Sequence, residues 1–380
     1  MPRIDDAVVI SANYQFLAPK YPFGLHDMAG ANVTMLQLMK DNRQTLGIDA
    51  EAVHYDSTIA ATLRMLQQKT LDLELKNKGS YSDTMRFSLR LLNKTGHKFP
   101  SGYPSRRAWV ELEVRDQSGQ TIFHSGKAAP DHSLPDEDAT FEPHHQVIRS
   151  PQQVQIYEIV PADVTGKFTT LLERAATALK DNRLPPQGFR KNHPVYDTTR
   201  IYGVDNDPDF NLFPDGEEGS GADVVHFHLP SQGYTGYVSV RAKVWYQSLP
   251  PKWMAPMFDF NSPEIDAFRA MFDSADRSPV LIGETSLDSV FLSTVSVKNT
   301  VPASTVRVFP SYSQDGRVFV ETSGSNVVTK VSVWDAAGRL VFSQNGWPNG
   351  PLELPRQSGV YLIAVETKNG RTVAKVVRGQ

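Results

Sequence analysis

The 380-residue sequence contains no cysteine. That excludes disulfides, thiolate metal sites, thiol catalysis and covalent haem attachment through C-x-x-C-H within this chain. No apolar run approaches the roughly 18 residues that a membrane-spanning helix needs. Neither sign of charge dominates. The 39 Lys and Arg against 42 Asp and Glu leave a formal net charge of −3, which argues against a general nucleic-acid binder. The N-terminus, MPRIDDAVVISANYQF, carries acids where a signal peptide has a basic stretch and a long apolar core, so no export signal is legible as written. H-E-x-x-H, G-x-S-x-G and a phosphate-binding glycine loop are absent too, and no residue stands out as catalytic.

What is present suits a globular chain of two or three domains, with 40% hydrophobic and 21% charged residues. Residues 28 to 69 read as helical. Met28, Val33, Leu36, Met39 and Leu46 recur at spacings near three or four, with Gly47 as a C-cap. A second run starts from Ser57 as N-cap and puts Ile59, Leu63 and Leu66 on one face. From residue 70 the period becomes two. Met85, Phe87, Leu89 and Leu91 alternate with Arg86, Ser88 and Arg90, and Val110, Leu112 and Val114 alternate with Glu111, Glu113 and Arg115. Val238, Val240, Ala242, Val244 and Tyr246 do the same. Such segments predict half-buried antiparallel strands in a β-sandwich. Long irregular stretches, 126–152 and 181–222, interrupt them, and loops of that length serve binding or packing. A short helix follows, capped by Ser262 with Pro263 in its first turn.

Past residue 295, short strands separated by DG, GS, NG and SG form a small all-β module. The expected organisation is a helical lead-in (1–69), a sandwich (70–295) and this C-terminal Ig-like β-sandwich (296–380), with a linker near Lys298 to Ser304. The fold class is mainly β.

Two resemblances follow from particular residues. The closing module, with Phe309-Pro310, VSVWDAAGRLV (Val331 to Val341), SGVYLIAV (Ser358 to Val365) and AKVVR (Ala374 to Arg378), resembles the type A sorting domain of the type IX secretion system of Bacteroidota. Its opening, FPSY, departs from the usual Tyr-Pro-Asn-Pro. This resemblance implies the type IX secretion machinery as a partner and a secreted or cell-surface location. The larger region resembles the C-terminal half of exported multihaem c-type cytochromes (c-552/c-554-like). LHDMAGANVTMLQLM, NKTGHKFPSGYPSRRAWVELEVRD, FEPHHQVIRSPQQVQIYE, KDNRLPPQGF and VWYQS carry that likeness. Members bear several C-x-x-C-H motifs and this chain bears none.

A sandwich without attachment motifs can still donate the distal axial ligand of a bis-histidine haem held elsewhere. The resemblance therefore implies His97, in a turn specified by Gly96, Pro100, Gly102 and Pro104, as the leading ligand. His26, His144 and His145 follow, and Arg106 or Arg107 is placed to pair with haem propionates. Haem c would come from a missing upstream region or a partner subunit, as the product of a truncated or split gene would require. His226 and His228, two apart on a strand, could chelate a metal. The acidic run from Asp205 fails the calcium EF-hand template, with Phe210 at its sixth position and Gly216 at its twelfth. It leaves an irregular calcium site of Asp205, Asp207, Asp209 and Asp223. The expected function is support of extracellular or periplasmic electron transfer. A haem-free secreted binding module is the alternative.

Overall fold

Alternating apolar residues build paired sheets in each of the two compact units into which the chain divides, Met1–Val295 and Ser296–Gln380. A computed structural model describes residues 3–25, 29–81, 83–135, 137, 140–191, 193–194, 200–204, 206–292, 306–322, 327–347, 350–368 and 370–379. The expected linker at 298–304 lies outside the described residues.

The first unit opens with a two-residue antiparallel pair, β1 (Arg3–Ile4) and β2 (Phe23–Gly24). Helices α1 (Val33–Asp41) and α2 (Ala52–Lys69) follow. Asn32 caps α1 by accepting from the Met35 N–H. The second helix begins earlier than Ser57, because Glu51 takes the N-cap position and the Ser57 hydroxyl bonds back to the Val53 carbonyl at 2.8 Å. Gly47 lies beyond the end of α1, in a turn at φ +63°, so α1 closes on Asn42 instead.

Strands β3 (Leu71–Tyr81), β4 (Thr84–Asn93), β5 (Arg107–Asp116), β6 (Thr121–Ser125), β7 (Val147–Ile148), β8 (Ile156–Tyr157), β9 (Ile159–Ala162) and β10 (Thr177–Asp181) come next, then β11 (Ala222–Pro230) and β12 (Gly236–Gln247). After helices α3 (Pro251–Phe258) and α4 (Pro263–Ser274) the unit ends in β13 (Val280–Leu292). Ser262 caps α4 through the Ile265 N–H.

Two sheets, ordered β3-β4-β11-β7 and β13-β12-β5-β6, face each other. Met85, Phe87, Leu89, Leu91, Val225 and Phe227 from one meet Val110, Leu112, Val114, Val240, Ala242 and Val244 from the other in a single core. This is the sandwich that the period of two predicts, since each strand buries one face only. At roughly 1.5–3 kcal/mol for each fully buried aliphatic or aromatic side chain, the core dominates the stability of the unit. Strand β8 adds to β5, and β9 with β10 forms a separate hairpin. These short strands lie between the two long irregular stretches, 126–152 and 181–222.

The second unit comprises β14 (Val306–Phe309), β15 (Tyr312–Ser313), β16 (Arg317–Thr322), β17 (Val328–Asp335), β18 (Leu340–Asn345), β19 (Pro351–Glu353), β20 (Gly359–Thr367) and β21 (Gly370–Arg378). They form sheets β14-β16-β19 and β15-β21-β20-β17-β18 over their own core of Val318, Val331, Val333, Ile363, Val365 and Val376.

Candidate functional site

Strand β4 ends at Asn93, which is fully buried. Its Nδ2 donates to the carbonyls of His97 (2.8 Å), Leu184 (2.9 Å) and Pro185 (3.1 Å), and its Oδ1 accepts the Thr95 N–H at 2.8 Å. One side chain therefore ties the turn after β4 to the segment after β10. Phe99 adds two backbone bonds with Leu184, both 2.8 Å. Between them Lys98 is buried against Asp181 at 2.8 Å, with Asp181 also held by Arg183. Burial pulls the Lys98 ammonium below its ordinary pKa, and the Asp181 carboxylate offsets only part of that.

His97 stands exposed on this braced turn. Its Nδ1 lies 3.0 Å from the Lys98 carbonyl oxygen. A carbonyl only accepts, so in the neutral ring Nδ1 carries the hydrogen and Nε2 keeps its lone pair. This is the tautomer of a metal-ligating imidazole whose second nitrogen is anchored to backbone. Among the described residues Nε2 has no hydrogen-bond partner.

The ring lines a cleft of about 750 Å³, within the roughly 300–1,000 Å³ range of cofactor sites. Met65, Leu66, Phe99 and Tyr246 give it apolar walls. Arg3, Lys69, Lys94 and Arg106 give it positive charge, and no Asp or Glu lines it among the described residues. Gly102, at φ +86°, makes room for Arg106, because a Cβ there would stand 2.6 Å from Nη1. Arg106 donates from Nη1 to the Ser101 carbonyl at 2.8 Å, while its buried Nε has no partner among the described residues.

Arg107 goes elsewhere. It is buried under the sandwich, bonded to Glu137 at 2.7 Å and to Gln247 at 3.0 Å, with its guanidinium 5.6 Å from the Trp109 ring centre. Burial pushes the Glu137 carboxyl up, but Arg107 and Lys252 outweigh it and leave the group below its ordinary pKa. Of the two arginines, only Arg106 faces the cleft.

The other candidates gather around a second, buried centre. His144 Nε2 lies 2.8 Å from Asp207 and 4.0 Å from Asp223, all three side chains at most 3% exposed. These three are the one group of potential metal ligands among the described residues. The state of the ring is set from behind. Asn182 Oδ1 accepts the Glu158 N–H and its Nδ2 donates to the Ile156 carbonyl, which turns that amide's donor end to His144 Nδ1 at 3.0 Å. Gln155 accepts the His145 N–H and likewise directs its Nε2 at Nδ1, at 2.7 Å. Nδ1 is thus an acceptor, and Nε2 carries the hydrogen it donates to Asp207. A cation at Nε2 would have to displace that hydrogen. Asp223 accepts from the Tyr157 hydroxyl at 2.7 Å, and its other oxygen, Oδ1, is buried without a side-chain partner. Burial, with Asp207 adding to it, pushes Asp223 up to about 6. Burial beside Asp223 also raises the Tyr157 phenol.

The remaining residues are dispersed. His145 bonds Glu142 at 2.5 Å, Asp209 bonds His226 at 2.8 Å, and His228 meets Arg149 at 3.2 Å. His226 and His228 therefore have separate partners, and the Asp209 carboxylate is not part of the His144, Asp207 and Asp223 group, although the Asp209 N–H donates to Asp207 at 2.8 Å. His26 and Asp205 lie outside the described residues. Sequence reasoning missed Lys98, Gln155 and Asn182, which set the two histidine tautomers, and Asn93 and Tyr157, which brace the two centres. The one available signal was that they fall inside the NKTGHKFPSG, QIYE and KDNR runs.

No protein-family model matches the sequence, and no curated protein does. Among solved structures the chain is similar to a penta-haem cytochrome c552 from Thermochromatium tepidum, at 16% identity and a TM-score of 0.36 over 60% of this chain and 41% of that one. It is also similar to HBP35 of Porphyromonas gingivalis, at 13% identity and a TM-score of 0.23 over 92% of this chain and 83% of that one. The chain spans less than half the length of the cytochrome, and both likenesses are loose.

Proposed function

We propose that the Met1–Val295 unit presents His97 as the distal axial ligand of a haem carried by another polypeptide, or by a haem-bearing region of a longer chain, in extracellular or periplasmic electron transfer. The observation that carries this reading is the state of the ring. His97 is exposed, its Nδ1–H is tied to the Lys98 carbonyl, and Nε2 is left with its lone pair on the wall of a cationic, half-apolar cleft. The chain has no cysteine and holds no haem covalently. A docked haem would supply one-electron chemistry at its iron. The chain's own part is to fix the imidazole, through Asn93 and the Lys98–Asp181 pair, so that little ordering entropy remains when the bond to iron forms. Arg106, which lines the cleft, is suited to a propionate carboxylate.

The test uses a c-type haem peptide that keeps its own proximal histidine and an open sixth position. Titrated into the full chain, it is expected to turn low-spin, read as the Soret shift and the loss of the high-spin charge-transfer band. His97→Ala abolishes the change. A wild-type chain that leaves the peptide high-spin would refute the ligand role and favour the haem-free binding module.

We further propose that Ser296–Gln380 is a sorting domain for the type IX secretion system and that the protein is delivered to the cell surface. Support comes from the ordered sequence features of its closing strands and from its two-sheet architecture. Fused to a periplasm-directed reporter in a bacterium that has this machinery, the segment should carry the reporter outside the cell. Reporter retained in the periplasm, with the segment intact, would overturn the assignment.

A further inference from the structure

We infer that Gly96 is a specificity-determining position that keeps the approach to His97 open for a flat, extended ligand. This inference rests on the ligand role of His97 just proposed. Glycine is retained in folds where the chain turns left-handed or where another group comes too close for a Cβ. Gly102 in the same turn meets both conditions, at φ +86° and with the Arg106 guanidinium against it. Gly96 meets neither. Its backbone is not left-handed, and a Cβ built on it would have no atom within 4 Å. The fold therefore tolerates a side chain at this position.

Gly96 nevertheless lines the cleft and directly precedes His97 in its wall. Space left open beside a coordinating nitrogen matters little to a small ion, which needs only the lone pair. It matters to a tetrapyrrole, whose plane must stand nearly perpendicular to the Fe–N bond and so sweeps over the residues beside the imidazole. A side chain at position 96 would meet that plane while leaving the ring itself accessible.

The full-length Gly96→Val and Gly96→Ala variants separate the two effects. Both are expected to unfold at the wild-type midpoint. Both should leave His97 as reactive to diethyl pyrocarbonate as before, read by peptide mass mapping. The valine variant should lose affinity for the haem peptide by about tenfold or more, because its methyl groups overpack the contact with the haem plane, and the alanine variant should lose less. A valine variant that folds and turns the haem peptide low-spin with wild-type affinity overturns the inference and leaves the ligand role standing. If valine does not fold, the alanine variant decides by the same comparison, and unchanged affinity again overturns it. Wild-type protein that leaves the haem peptide high-spin removes the ligand role, and this inference with it.

Discussion

At the scale of single residues, two histidines in one unit are held in opposite tautomers by their second nitrogens. A carbonyl facing Nδ1 makes His97 a ligand through Nε2, and two amide N–H groups facing Nδ1 make His144 a donor through Nε2. The consequence at His144 is a buried polar knot in which Asp223 is the strained member. Its folded pKa, about 6, lies above the ordinary 3.8. A raised carboxyl pKa stabilises the fold fully below the unfolded value and loses that contribution as pH rises through the folded one. We therefore expect a stability loss between pH 4 and pH 6.5 of about 3 kcal/mol from this group, at 1.36 kcal/mol per pKa unit. The Asp223→Asn variant keeps an acceptor for Tyr157 and removes the ionisation. Its urea-unfolding free energy should match wild type near pH 4 and exceed it at pH 7. Parallel pH curves for the two proteins would show that Asp223 does not govern this window.

At the scale of elements, the legible parts were those with a period. Strands β4, β5 and β12 show in the sequence because burial on one face forces alternation, and their apolar residues are the ones that meet in the core. Helix α4 shows because Ser262 and Pro263 mark its start. The register of α2 was misjudged because Ser57 has the chemistry of a cap, yet within a helix its hydroxyl can equally bond the carbonyl four residues back. The stretches 126–152 and 181–222 were not legible. Their structure comes from long-range partners: Asn182 bonds His144, Asp181 pairs with Lys98, and Leu184 with Pro185 receives Asn93. No local pattern encodes such contacts. The segment from Lys180 to Pro185 in this way braces both histidine centres. His97 could be singled out because its turn is crowded with Gly and Pro. The choice between Arg106 and Arg107 depended on which way each side chain turns where the chain enters β5, and the sequence left both open.

At the scale of the whole molecule, the two units have separate cores. Leu89, Val110, Val225 and Val244 belong to one, and Val318, Val333, Ile363 and Val376 to the other, with no residue in common. Cooperative unfolding needs contacts that lose their partners together, so two closed cores predict two transitions. Calorimetry of the full chain should resolve into two endotherms. Limited proteolysis should cut preferentially between about residues 290 and 305, and each product should keep its own endotherm at the temperature it has in the full chain. Short domains bury a lower share of their surface than long ones, so the smaller unit is expected to melt first. A single endotherm that vanishes as a whole after the cut would mean that the sandwich and the C-terminal module stabilise each other. That result would leave the site at His97 untouched, since every described residue lining its cleft belongs to the first unit.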